Sequence, residues 1–166
     1  MADFEYLATT RNGYRVFMDP KHSHAATHLA DTPGLRSVTE EVISILAPMN
    51  DNQVITTDME RIIGYTDLVE TTENDEIIYA KRLNRDNFTR FVKGRSPSTS
   101  SLITMVLRKF DDGSYELWSV WIGPNAPTFP GGDHETPESY TFWENHALVW
   151  GTQEVQPGTE TTERPW

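Results

Sequence analysis

Runs of alternating apolar and polar residues recur along this chain, and helical spacing stands out in only two places. Phe4-Glu5-Tyr6-Leu7 and Tyr14-Arg15-Val16-Phe17-Met18 flank Arg11-Asn12-Gly13. Asn-Gly between two such runs predicts a hairpin over residues 3–18. A polar segment carrying His22, His24 and His28 follows. Ser37-Val38-Thr39-Glu40 then has the spacing of a capping box, and Val38, Val42, Ile45 and Leu46 recur at helical intervals up to Pro48.

Short strands are predicted at 53–57, 63–69 and 76–81, a basic stretch with a short helix from Asp86 at 84–95, and a loop at 96–100. The strongest β signal is the pair 101–110 and 115–122, joined through Asp111-Asp112-Gly113-Ser114. Strict alternation groups Tyr115, Leu117, Ser119 and Trp121 on one side of the second strand, and Trp118, Val120 and Ile122 on the other. After a Pro/Gly-rich loop, Thr136-Pro137 predicts a helix start, with Thr as N-cap and Pro at the first helical position, continuing to about Val149. From Gly151 the chain is polar and aperiodic, which predicts a disordered tail. These elements describe an α+β protein: an antiparallel sheet with an N-terminal hairpin, one helix before and one after the main strands. They form a single domain over 1–150 with a disordered tail at 151–166.

Composition narrows the class. Hydrophobic residues make up 37% of the 166 and charged residues 23%, which fits a globular domain with a real core. With no cysteine, disulfides, thiolate catalysis and Cys-based zinc sites are excluded. The N-terminus lacks the pattern of a signal peptide, and no apolar run reaches the roughly 20 residues that span a bilayer, so a cytoplasmic protein without membrane contact is expected. Neither a Gly-x-Gly-x-x-Gly run nor a phosphate-loop motif is present, so no nucleotide cofactor is expected.

Charge gives the most pointed signal. The formal net charge is −11, yet eight of the fourteen Lys and Arg residues fall between Lys81 and Lys109, with Asp86 the single acid among them. An acidic protein that gathers its positive charge in one stretch offers a site for an anion. Arg82 with either Lys93 or Arg90 is the natural pair to converge on one phosphate, because guanidinium forks match phosphate oxygens. The competing expectation is that these cations pair with the acids of the same chain.

His24 and His28 stand four apart, the spacing of one helix face. No third ligand has fitting spacing, so no metal is expected, and a general acid–base role suits them better. His146 reads as a hydrogen-bonded histidine on an apolar helix face. Thr104, inside an apolar strand, either satisfies a neighbouring backbone group or points from the sheet to orient a phosphate.

The order of a histidine segment, a helix, a basic patch and an antiparallel sheet resembles the barnase–EndoU–colicin–RelE type of ribonuclease, many of which are bacterial toxins. The residues concerned are Asp75 to Arg82, Phe88 to Lys93, Leu102-Ile103-Thr104 and Tyr115 to Trp118. Phe142-Trp143-Glu144-Asn145-His146-Ala147-Leu148 is similar to a signature of an uncharacterised bacterial or phage-borne family. The resemblance implies metal-independent cleavage of RNA. His24 or His28 would be the base, Arg82, Arg90 and Lys93 the electrostatic clamp, and Thr104 a hydroxyl that orients the phosphate. The net acidity points to a rival class, a non-catalytic protein of the immunity, antitoxin or nucleic-acid-mimic kind, engaging a basic protein partner. Oligomeric state is not legible in the sequence.

Overall fold

The computed structural model describes residues 3–48 and 51–166, and among them three helices and eleven strands make a mixed, mostly sheet architecture. The chain divides into two compact units, Met1–Gly64 with Ser100–Asn125, and Tyr65–Thr99 with Ala126–Trp166, where the sequence suggests a single domain.

The first unit holds a five-stranded sheet. Its strands are β1 (Glu5–Thr9), β2 (Arg15–Met18), β3 (Asn52–Asp58), β9 (Leu102–Lys109) and β10 (Tyr115–Ile122), in the order β1-β2-β10-β9-β3. The N-terminal hairpin forms as the Asn-Gly turn predicts, with Glu5 opposite Met18 and Thr9 opposite Arg15. Two helices precede the main strands rather than one. The first, α1 (His24–Asp31), lies in the segment read as merely polar; Ser23 caps it by accepting from the Ala26 amide. The second, α2 (Leu35–Ile45), begins earlier than the Ser37 capping pattern suggests. Gly34 takes a left-handed conformation (φ 81°) that lets the helix start at Leu35, and the Ser37 hydroxyl donates to the Gly34 carbonyl instead.

The β9–β10 hairpin departs from strict alternation. Leu117 pairs with Leu107 but Ser119 pairs with Val106, so Trp118 is an extra residue, a β-bulge. The bulge resets the pleat. Tyr115 and Leu117 before it share the buried side with Val120 after it, against Ile103, Met105 and Leu107, while α2 adds Leu35, Val42 and Ile43 to the same core. The grouping of Tyr115 and Leu117 with Ser119 and Trp121 is therefore corrected, because a single inserted residue inverts the parity beyond it. The β2–β10 pair is parallel, so the sheet is mixed rather than wholly antiparallel.

The second unit holds a four-stranded sheet, order β5-β11-β7-β6, from β5 (Leu68–Glu70), β6 (Glu76–Ala80), β7 (Thr89–Lys93) and β11 (His146–Val149). The Thr136-Pro137 start is present: Thr136 and Ser139 cap each other's backbone at the head of α3 (Pro137–Asn145). The helix stops at Asn145 instead of continuing to Val149. His146-Ala147-Leu148-Val149 pairs as a strand between β5 and β7, where its apolar residues gain two neighbours. The stretch 84–95 likewise yields strand β7 and not a helix. Between β7 and β9 along the chain, Ser98–Ser100 forms β8 and pairs with β4 (Gly64–Thr66).

Residues 151–166, expected to be a disordered tail, run along the β6 side of the second unit. Thr161 and Tyr79 exchange two backbone hydrogen bonds of 2.8 Å, Val155 bridges Arg82, and the Trp166 ring meets the Tyr79 ring edge-on at 5.2 Å. Polar composition concealed this because the partners of the segment, Asp67 and Tyr79 to Arg85 among them, lie about 70 to 86 residues upstream.

Candidate anion site

The pleat of β7 decides where the basic residues go. Phe91, with Ile78 and Ala80 of β6 and Leu148 of β11, belongs to the cluster that packs against Trp143 of α3 and Phe129. Val92, with Val69, Ala147 and Val149, belongs to the opposite cluster. Thr89 and Lys93 therefore share the Phe91 face, and Arg90 lies on the Val92 face.

Arg82, just after β6, joins the Phe91 face. Its Nε donates to the buried Thr89 hydroxyl at 2.8 Å and its Nη1 to Gln153 Oε1 at 3.3 Å, while its guanidinium carbon lies 5.4 Å from the Phe129 ring centroid. Nη2 has no partner among the described residues. Burial, and then the positive charge of Arg85, push the Arg82 pKa below its ordinary value, against the opposing pull of Asp67. A guanidinium stays protonated at neutral pH even so. Next to it is an open hollow of about 320 Å³ lined by Arg82, Leu83, Arg85, Gln153 and Glu154.

Arg90 serves a different place. Its Nη1 donates to the Thr71 hydroxyl at 2.8 Å and to the His146 carbonyl at 3.0 Å, in the wall of a hollow of about 390 Å³ that also includes Thr72, Glu73, Glu144 and Asn145. Lys93 lies with its ammonium 5.8 Å from the Trp150 ring centroid. Lys81 sits similarly over Phe88 at 5.2 Å. Of the two pairings read from the sequence, Arg82 and Lys93 share one sheet face, while Arg90, the third member of the clamp that the resemblance implies, occupies the other.

Pairing with the chain's own acids accounts for little of the basic window in this unit. Arg95 pairs with Asp75 at 3.2 Å. Among the described residues, none of Lys81, Arg82, Arg85, Arg90 and Lys93 has a carboxylate at ion-pair distance.

The chain matches no family model, no curated protein and no solved structure.

His24, His28 and Thr104 belong to the first unit, whereas Arg82, Arg90 and Lys93 belong to the second. His24 opens α1, its ring edge-on to Trp118 at 5.8 Å, and Arg108 covers the Trp118 ring at 3.8 Å. His28 follows one turn later; partial burial of its ring, and then the nearby His24, lower its pKa below the ordinary imidazole value, although the residue as a whole is exposed. Thr104 is fully buried and donates to the Gly123 carbonyl at 2.8 Å, so the Thr56 hydroxyl, 2.9 Å away, must be the donor to Thr104. Both of its local bonds are satisfied within the fold.

His146 caps α3 rather than lying within it. Its ring stacks on Phe142 at 3.9 Å, with Nδ1 2.9 Å from the Phe142 carbonyl oxygen. Among the described residues no three His, Cys, Asp or Glu side chains gather as metal ligands, and no helix is long and apolar enough to cross a membrane. Sequence reading missed Thr89, Gln153 and Phe129, the three groups that hold the Arg82 guanidinium. No local signal marks them, since they come from a strand, the C-terminal segment and a Pro/Gly-rich loop.

Proposed function

We propose that the protein binds single-stranded RNA through its phosphates, with the Arg82–Arg85 hollow as the primary anion site. One observation carries this reading: Arg82 is held in place by a hydroxyl, an amide oxygen and an aromatic face, with no carboxylate neutralising it at ion-pair distance. Two guanidinium groups at one hollow would otherwise repel each other for no gain. The half-buried rings of Phe88 and Trp150, beside Lys81 and Lys93, add π surfaces on which bases stack. The net charge of −11 makes such binding local and strongly dependent on salt. Binding rather than cleavage is proposed, because Arg90 lies on the opposite sheet face from Arg82 and Lys93.

The test is anisotropy titration of a labelled single-stranded RNA across a salt series. Replacing exposed Arg85 by Ala should weaken binding for all sequences alike and flatten the log K against log salt slope by about 0.7, the value for one phosphate contact on a single strand. The same RNA incubated with EDTA reports cleavage. Absence of RNA binding by the folded protein would overturn the reading and turn attention to a basic protein partner.

A further inference from the structure

The two guanidinium groups of the proposed anion site are carried by one reverse turn, Arg82-Leu83-Asn84-Arg85, closed by the Arg85 amide donating to the Arg82 carbonyl at 3.2 Å. Asn84 takes a left-handed conformation within it (φ 61°). Such a surface turn, carrying two like charges and closed by one backbone hydrogen bond, gains from outside support. A second segment of chain holds it. The Gln156 side-chain amide donates from Nε2 to the Arg82 carbonyl at 3.0 Å and to the Arg85 carbonyl at 2.8 Å, so one NH₂ group spans both ends of the turn. Gln156 is itself fixed. Its backbone amide donates to the Lys81 carbonyl at 2.7 Å, and its carbonyl accepts from the Thr159 hydroxyl at 2.7 Å, while that hydroxyl also accepts from the Lys81 amide. Glu154 accepts from the Leu83 amide through its backbone, and Gln153 holds the Arg82 guanidinium.

From this we infer that Gln156 is a positioning residue for the anion site, setting the spacing of Arg82 and Arg85 through their carbonyls without itself touching the ligand. The inference rests on the RNA-binding reading above. Glutamine suits such a role because it offers two N–H donors on one nitrogen, at the end of a side chain long enough to reach between two carbonyls. An acid at the same position would bring negative charge to both carbonyls, and an apolar residue would remove the side-chain donor of the Arg85 carbonyl and leave the Arg82 carbonyl with the Arg85 amide.

The experiment uses the full chain, a labelled single-stranded RNA and three substitutions. Gln156→Met keeps the length and removes both donors. It should weaken RNA binding about five- to ten-fold and flatten the salt slope by about 0.7, because one of the two guanidinium groups no longer meets the phosphate. Gln156→Asn keeps the amide on a shorter stem, and should fall between Gln156→Met and wild type. Thr161→Pro loosens the same segment at Tyr79, away from the turn, by removing one backbone donor. It should lower the melting temperature while keeping RNA affinity and salt slope.

Wild-type affinity and slope in Gln156→Met would overturn the positioning role. So would an equal loss of affinity and slope in Thr161→Pro, since the effect would then be general loosening. If Gln156→Met does not fold, Gln156→Asn decides in the same way, an unchanged slope and affinity counting against the role. Failure of the wild-type protein to bind RNA at all would instead overturn the reading on which the inference rests.

Discussion

The Thr89 hydroxyl on β7 accepts the Nε proton of Arg82 at 2.8 Å, and this one bond aims a guanidinium that sits just past the end of the neighbouring strand. Thr89 is 1% exposed, so the bond is shielded from competing water. Thr89→Val conserves shape while removing the acceptor. It should cost about 1–3 kcal/mol in urea unfolding, the penalty of leaving a buried donor unpaired, and should weaken RNA binding as the guanidinium turns away. Unfolding that matches wild type would show that water replaces the hydroxyl.

Thr104 separates a structural hydroxyl from a ligand-orienting one. Thr104→Val strands the Gly123 carbonyl and removes the acceptor of Thr56, so a loss of about 1–3 kcal/mol in stability is expected, with RNA affinity measured at low temperature unchanged. A variant with intact stability and lost affinity would restore Thr104 to the ligand.

His28 should make stability depend on pH. Its folded pKa lies below the ordinary value of 6.5, through burial first and the positive charge of protonated His24 second, opposed by Asp31. The unfolded chain therefore takes up the proton more readily. The contribution is complete above the unfolded pKa and is lost as pH falls from there through the folded value. Unfolding free energies measured from about pH 7.5 to about pH 5 should fall more steeply for wild type than for His28→Gln. Equal slopes would show that His28 titrates alike in both states.

Removing residues 152–166 should destabilise the second unit. The truncation deletes both Tyr79–Thr161 backbone bonds and the Trp166 ring that packs on Tyr79. A loss of at least about 3 kcal/mol is expected in urea unfolding, the scale for losing a single packed Trp. Truncated protein as stable as the full chain would return the segment to the status of a disordered tail.

The sequence made its strongest turns legible. Asn12-Gly13 and Asp111 to Ser114 mark the hairpins, and Thr136-Pro137 marks the start of α3, because each signal lies within a few consecutive residues. What it hid depended on partners distant in sequence. His146 to Val149 is a strand because β5 and β7 flank it, and the Trp118 bulge exists only in register with β9. The candidate site follows the same division. Clustered charge pointed to Arg82 and Arg90, but the pleat that separates them requires knowing that β7 is a strand, and Gln153 and Gln156 lie about 70 residues downstream.

The interleaving of the two units has a consequence for synthesis. Neither unit is one continuous stretch: β10 of the first sheet follows β5, β6 and β7 of the second, and the second waits in turn for β11. A chain emerging N-terminus first therefore exposes three strands of one incomplete sheet while the other still lacks its central strand. The first unit is complete in sequence at Asn125, while the second still waits for residues 126–166. No single cut in the gene releases either unit whole, so fragments for expression would have to be rebuilt by circular permutation or by joining two distant segments.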